Sequence, residues 1–265
     1  MRLPTKRRAI VKIFADTDQS DHHLATEIAT LIRERRADDR SCILGLATGS
    51  TPLGVYGELI RMHREEALSF ANVVSFNLDE YFPMAPDHAQ SYVRFMNERL
   101  FDHVDIPREN THIPDGSIAL NTVENFCRDY EERISRAGGI DLQILGIGRT
   151  GHIGFNEPGS SRQSRTRMVQ LNDVTRNDAA EGFHGKENVP SLAITMGVQT
   201  IFEARRVRLL ASGRHKAAII QRAVEGAPCD EVPATLLKGH GDFKVLLDRS
   251  AASQLSSTDF PSKNS

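Results

Sequence analysis

The sequence predicts an α/β protein: a doubly wound, Rossmann-like, mostly parallel sheet with helices on both faces, in a single domain. Three observations predict it. Short apolar runs alternate with amphipathic stretches along nearly the whole chain. Several of those runs are apolar throughout instead of alternating, which marks strands covered on both faces. No internal repeat, low-complexity linker or break in composition divides the series, so one domain over 1–252 is expected, followed by a polar, flexible tail over 253–265.

AIVKIFA (9–15) is the first expected strand. Leu24, Ile28, Leu31 and Ile32 then share one helical face, with Ser20 or Asp21 as the expected cap. SCILGLAT (41–48) is a compact apolar strand, and a helix from about Pro52 to Ala67 leads to VVSFNL (73–78). Helical stretches follow over 91–104 and 122–138, then the strand DLQILGIG (141–148). RTRMVQL (165–171) alternates as a half-buried strand does. RVRLLAS (206–212), the helix HKAAIIQRAVEG (215–226) and FKVLLD (243–248) complete the series. Ligands in such sheets sit beyond the carboxyl ends of the strands, which directs attention to the loops after 48, 78, 148 and 212.

Composition narrows the function classes. With 39% hydrophobic and 26% charged residues, the 265-residue chain can bury a sizeable core. No run of eighteen apolar residues is present, so no membrane span is expected, and the start lacks the apolar stretch and cleavage site of a secretory leader. A net charge of −2 gives no global field for nucleic acid or an acidic membrane. Three cysteines without C-x-x-C spacing argue against a disulfide scaffold or zinc knuckle and fit a reducing cytoplasm. The ten histidines are scattered, and His22-His23 reads as an exposed helix start; no metal site is expected.

Gly146-Ile147-Gly148-Arg149-Thr150-Gly151 spells the G-x-G-x-x-G of a dinucleotide turn, and Asp173 lies where a ribose-binding acid would stand. That turn must open a helix, however, and His-Ile-Gly-Phe-Asn-Glu-Pro-Gly is among the poorest helix-forming stretches in the chain. The dinucleotide reading fails. A fixed irregular loop carrying His152 and Glu157 fits better: the imidazole can exchange protons near neutral pH, and a carboxylate can hold its tautomer. A structural hydrogen bond is the plainer role for a lone histidine.

LATGSTPLGVY (46–56) passes from strand to helix through small residues. Gly49 permits close approach, and Ser50 and Thr51 set hydroxyls beside helix N-terminal N–H groups, as a phosphate monoester requires. An ordinary capped turn favours the same residues, so this stretch alone leaves both readings open. Lys216 could add a point charge, or be a solvated helix-start lysine. Asp79-Glu80, after a buried strand, sit where substrates bind, and partial burial would raise the pKa of at least one.

In order, LGLATGSTPLGVY, FNLDEY, LGIGxxGHIGFNEPGS, ITMGV and the Lys216 helix resemble the glucosamine-6-phosphate deaminase (isomerase) family over roughly residues 10 to 250. FNLDEY and GHIGFNEP are the specific motifs; the phosphate turn and fold are shared with the 6-phosphogluconolactonases. The resemblance implies conversion of glucosamine 6-phosphate and water to fructose 6-phosphate and ammonia, with no metal or organic cofactor. Asp79 would be the base at C2, His152 would open the pyranose ring, and Glu157 would orient His152. Thr48, Gly49, Ser50 and Thr51, with Lys216, would hold the 6-phosphate. The implied partner is a small-molecule amino-sugar phosphate, with no nucleic acid and no membrane; a homo-oligomer is left open.

The chain departs from the family pattern at two places. Thr150 stands where relatives often carry Asp, and Glu181 aligns with a phosphate-binding arginine; Arg176, Lys186 or Arg214 are the candidates to compensate. Ser160, Ser161 and Arg167 resemble parts of an allosteric site, but Val169 replaces an expected lysine, and no allostery is expected. Thr150 and Glu181 also motivate two alternatives: a sugar-phosphate sensor without chemistry, and an enzyme acting on another amino or keto sugar phosphate. A lactonase ranks last, because it would leave Asp79 without a task.

Overall fold

The computed structural model describes residues 9–256. The basic start and residues 257–265 of the expected tail lie outside the described residues. Of that tail, 253–256 are described: Leu255 packs against the core and the Ser256 N–H donates to Glu225 Oε1 at 2.6 Å.

In chain order the elements are β1 (Ile10–Phe14), α1 (Thr17–Ala37), β2 (Cys42–Leu46), α2 (Leu53–Glu65), β3 (Val73–Asn77), β4 (Asp79–Phe82) and α3 (Tyr92–Arg99). Then come β5 (Thr111–His112), α4 (Val123–Arg136), β6 (Leu142–Leu145), β7 (Arg167–Gln170) and α5 (Asp173–Ala179). The series ends with β8 (Leu192–Thr195), α6 (Val198–Phe202), β9 (Arg206–Ala211), α7 (Ala217–Glu225) and β10 (Phe243–Asp248).

Seven strands form one parallel sheet in the order β1-β10-β9-β6-β2-β3-β5. From β2 the chain winds outward through β3 and β5, then returns to the other side of β2 with β6. The strand order therefore reverses between β2 and β6, and a crevice opens beyond their carboxyl ends. The four loops singled out by sequence leave β9, β6, β2 and β3, which are consecutive neighbours in the sheet.

Both faces of the sheet are covered, as the apolar runs require. On one, Leu24, Ile28 and Ile32 of α1 and Tyr56 and Leu59 of α2 pack on Leu44, Leu46, Ile144 and Leu246. On the other, Tyr130 and Ile134 of α4, Ile201 of α6 and Ile220 of α7 pack on Ile43, Phe76, Leu145 and Leu209. At the amino-terminal side of the sheet, fully buried Arg208 of β9 is gripped by Glu27 of α1 (2.6 and 2.8 Å) and by Asp242 (2.9 and 3.0 Å).

Two expectations need correction. The cap of α1 is neither Ser20 nor Asp21 but Asp16, whose carboxylate accepts from the Gln19 N–H at 2.9 Å; Ser20 and Asp21 are buried within the helix. A second sheet is also present, with β4 and β7 antiparallel to a central β8. The expected 165–171 strand is its edge, and Asp79-Glu80 open its strand β4 instead of a loop.

Leu78 joins the two sheets. Its N–H donates to the Leu46 carbonyl at 3.0 Å, at the end of β2, and its carbonyl accepts from the Met196 N–H at 2.7 Å, just past β8.

Candidate active site

The turn after β2 carries Thr48, Gly49, Ser50 and Thr51 to the start of α2. Gly49 has φ +87°, a conformation that glycine adopts without strain, and no atom lies within 4 Å of where its Cβ would be. Backbone conformation, not space, calls for glycine there. Pro52 is the N-cap and supplies no side-chain acceptor; the Leu53 N–H turns back to the Ser50 carbonyl at 3.4 Å, which leaves the N–H groups after it and the positive end of the helix dipole for an anion.

Asp79 opens β4 opposite Thr195 of β8. Its carboxylate is buried and lies close beneath Gly154, where an added Cβ would stand 3.1 Å from both Asp79 Oδ2 and Thr195 Oγ1. Burial first, and then the charge of Glu80, pushes Asp79 up to about 8, against the pull of the Phe155 N–H. Glu80 points to the opposite side of the strand. There it accepts from Ser91 Oγ (2.8 Å), from the N–H groups of Tyr92 and Val93 at the start of α3, and from the neighbouring Tyr81 N–H of its own strand. Burial still carries Glu80 up to about 7. Its contacts anchor α3, whose first residue, Tyr92, forms one wall of the site.

The Gly146–Gly159 segment is the irregular loop expected from sequence. It opens no helix after Gly151, and a bridge between Ile153 and Asn156 folds it back on itself. Asp173, the acid of the rejected dinucleotide reading, instead pairs with Lys186 at 2.9 Å. Asn156 fastens the loop from inside: its Nδ2 donates to the carbonyls of Ile153 (2.9 Å) and Met196 (2.8 Å), and its Oδ1 accepts from Arg167.

His152 lies flat on Gly148, where an added Cβ would sit 2.0 Å from its Cε1 and Nε2. Nδ1 faces Thr150 Oγ1 at 2.9 Å and Glu157 Oε2 at 3.5 Å, so Nε2 is the nitrogen turned to the cavity. Glu157 is gripped by Asn172, whose Nδ2 and N–H donate at 2.7 and 3.3 Å. Burial opposes its charge, but His152 and the Asn172 N–H win and hold its carboxyl below the ordinary range. An ionised Glu157 on the Nδ1 side favours a proton there and leaves Nε2 with its lone pair.

Thr48–Thr51, Asp79, Tyr92, Gly146–Gly148 and His152 line one cavity of about 220 Å³. It suits a single small, polar molecule and is too confined for a dinucleotide. A larger groove of about 730 Å³ runs between α4 and α6; there Glu131 is already engaged by Thr166, Thr200 and Arg165, and none of the predicted residues lines it. Glu157 stands behind the cavity wall, acting on His152. Lys216 also stands behind it, donating to the Ile147 carbonyl at 2.8 Å, and burial lowers its pKa.

Sequence reasoning missed Tyr92, Thr195 and Asn172. ITMGV pointed to the neighbourhood of Thr195, whereas nothing local marked the other two. Ser160 and Arg167 do meet, at 3.2 Å, next to Asn156. Among the described residues no group of three or more His, Cys, Asp or Glu is placed to hold a metal ion, and no helix is long and apolar enough to cross a membrane.

The chain is similar to known proteins over most of its length. The glucosamine-6-phosphate deaminase of Thermoanaerobacter sp. (strain X514) is 45% identical over 236 residues, covering 89% of this chain and 92% of that protein. That of Shewanella woodyi is 49% identical over 232 residues, 88% and 87% of the two chains. A putative glucosamine-6-phosphate deaminase-like protein of Bacteroides thetaiotaomicron is 46% identical over 94% of this chain, which spans only 38% of that longer protein. Among solved structures, a monomeric glucosamine-6-phosphate deaminase superposes with a TM-score of 0.88 at 42% identity, covering 92% of this chain and 99% of that one. The 6-phosphogluconolactonase of Thermotoga maritima shares the fold, with a TM-score of 0.71 at 24% identity over 91% of this chain and all of that one. Residues 15–245 match the family model of glucosamine-6-phosphate isomerases and 6-phosphogluconolactonases, and the chain belongs to that family.

Proposed function

We propose that the protein is a glucosamine-6-phosphate deaminase, converting glucosamine 6-phosphate and water to fructose 6-phosphate and ammonia. The observation that carries this reading is the convergence of a desolvated carboxylate, Asp79, an imidazole, His152, and an anion-binding turn, 48–51, on one small cavity. Lactone hydrolysis would use the turn and the histidine and give Asp79 nothing to do.

In this reading the 6-phosphate sits on the turn over the first N–H groups of α2, with Lys216 as a nearby positive charge. The anchor supplies binding energy that fixes the sugar against the two catalytic groups. Nε2 of His152 takes the C1 hydroxyl proton and delivers it to the ring oxygen as the C1–O5 bond breaks, giving the open aldehyde. Glu157 stabilises the imidazolium formed in transit.

The Asp79 carboxylate then removes the C2 proton while O1 takes a proton from the substrate's own C2 ammonium, giving an enolamine, and the C2 proton is returned to C1. Water adds to the resulting C2 iminium, and ammonia leaves. A carboxylate pushed up toward 8 is a stronger base than one in water, and a desolvated site favours its use on a carbon acid. Every group in the scheme comes from one chain. The three cysteines are free, consistent with a cytoplasmic enzyme.

Incubation with a panel of amino-sugar and sugar phosphates, reading ammonia and ketose phosphate together, tests the proposal. Equal amounts of both products from glucosamine 6-phosphate are expected. Thermal stabilisation by that compound without turnover would point instead to a sensor.

A further inference from the structure

A phosphate dianion needs more positive charge than one lysine whose ammonium already serves a backbone carbonyl. Glu181 is exposed and of the wrong sign. Two of the expected substitutes are occupied: Arg176 Nη2 donates to the carbonyls of Lys186 (3.0 Å) and Val189 (3.1 Å), and Lys186 is paired with Asp173. Arg214 is exposed near the start of α7, and the charges that act on Lys216 come from Asp178 and Arg149 instead.

Arg149 was not among the candidates. It follows directly on Gly146, Ile147 and Gly148, which form a wall of the cavity. That wall abuts the phosphate turn, for a Cβ on Gly146 would stand 3.3 Å from Thr51 Oγ1. Lys216 is tied to the same wall through Ile147. The Arg149 guanidinium makes a two-pronged pair with Asp178 of α5, Nε to Oδ2 at 3.1 Å and Nη2 to Oδ1 at 2.6 Å. Both partners are largely solvated, at 59% and 40% exposure, so the pair is cheap to break. The same planar fork fits a phosphate in place of a carboxylate.

Resting on the deaminase reading above, we propose that Arg149 is a specificity-determining residue for the 6-phosphate. In the resting protein Asp178 holds its guanidinium outside the cavity lining, next along the chain from the Gly146–Gly148 wall, and surrenders it to the arriving phosphate. Asp178 is thus a competitor of the substrate, and removing its charge strengthens binding.

Two substitutions separate this from a merely structural ion pair. Arg149→Met should raise KM for glucosamine 6-phosphate roughly ten- to hundredfold, the worth of a charge-assisted contact, with kcat within about twofold. Asp178→Asn should lower KM by about threefold or more, as the lost competitor predicts. Inorganic phosphate, as a competitive probe, should follow both changes in the same directions. A structural staple would give both variants the same sign, and that result overturns the proposal, as does an unchanged KM in Arg149→Met. Should the wild-type protein release no ammonia, the deaminase reading falls, while the affinity for inorganic phosphate still decides the role of Arg149: opposite shifts in the two variants sustain it and like or absent shifts reject it.

Discussion

Replacing Asp79 with asparagine should make the protein more stable while abolishing turnover, and the gain should grow with pH. Asp79 ionises near 3.8 when unfolded and near 8 in the folded protein, chiefly because of burial. Between those values the folded state holds a proton that the unfolded chain has lost, so stability falls as pH rises through the interval. At about 1.4 kcal/mol per tenfold change, the cost is roughly 2 kcal/mol at about pH 5 and on the order of 5 kcal/mol at about pH 9. Asparagine is neutral throughout and keeps an oxygen for the Phe155 N–H, so it removes that cost. Urea unfolding of both proteins at the two pH values measures the difference. The expected result is a variant more stable by about 3 kcal/mol or more at the higher pH, relative to the lower, with ammonia release reduced by roughly a thousandfold or more. An equal stability difference at both pH values, or a less stable variant, would refute the claim that this carboxylate is held in place against its own solvation.

For the wild type, kcat/KM should rise with pH through about 8 as Asp79 becomes the free base, and a flat profile from about pH 6 to 9 would remove Asp79 from that role. Gly148→Ala drives a methyl group into the His152 ring, so kcat should fall about a hundredfold with the protein still folded, as steady-state kinetics and circular dichroism would show. Thr150→Val removes the nearest partner of His152 Nδ1 and should lower kcat about tenfold with little change in KM, while Thr150→Asp should restore it; equal losses in both would show that bulk matters there, not the hydrogen bond. Glu27→Gln leaves the buried Arg208 guanidinium with a single carboxylate and should cost about 3 kcal/mol in urea unfolding, without affecting KM.

The parallel sheet was legible because its strands are buried on both faces and read as unbroken apolar runs; β10 matches its expected limits residue for residue. The four loops were legible because a parallel sheet delivers every one of them to the same edge. The second sheet was not. Its strands β4, β7 and β8 are four residues each, and their pairings join positions more than twenty residues apart; only β7 carries an alternation that announces a strand, and nothing in it announces its partners. Asp79 therefore read as a loop acid at the end of 73–78, when Asn77 in fact ends one strand, Leu78 is the joint, and Asp79 begins the next. The cap of α1 was misplaced because Thr17, Asp18 and Gln19 carry no apolar face, although Asp16 is a good cap by residue type. Glu157 was found, but the Asn172 that grips it lies fifteen residues on, a contact only the folded chain creates.

The two hydrogen bonds of Leu78, one on each of its flanking peptide units, make a single residue the common datum for the two sheets. The proposed anchor is plumbed from the parallel layer and the proposed base from the antiparallel one, and their separation is measured across that single joint. An insertion of one residue there would reverse the alternation of DEYF, turning Glu80's side toward the sugar and Asp79's toward the α3 terminus. Substitutions at Arg149 or in 173–190, away from this joint, would leave the gauge between the proposed anchor and base undisturbed.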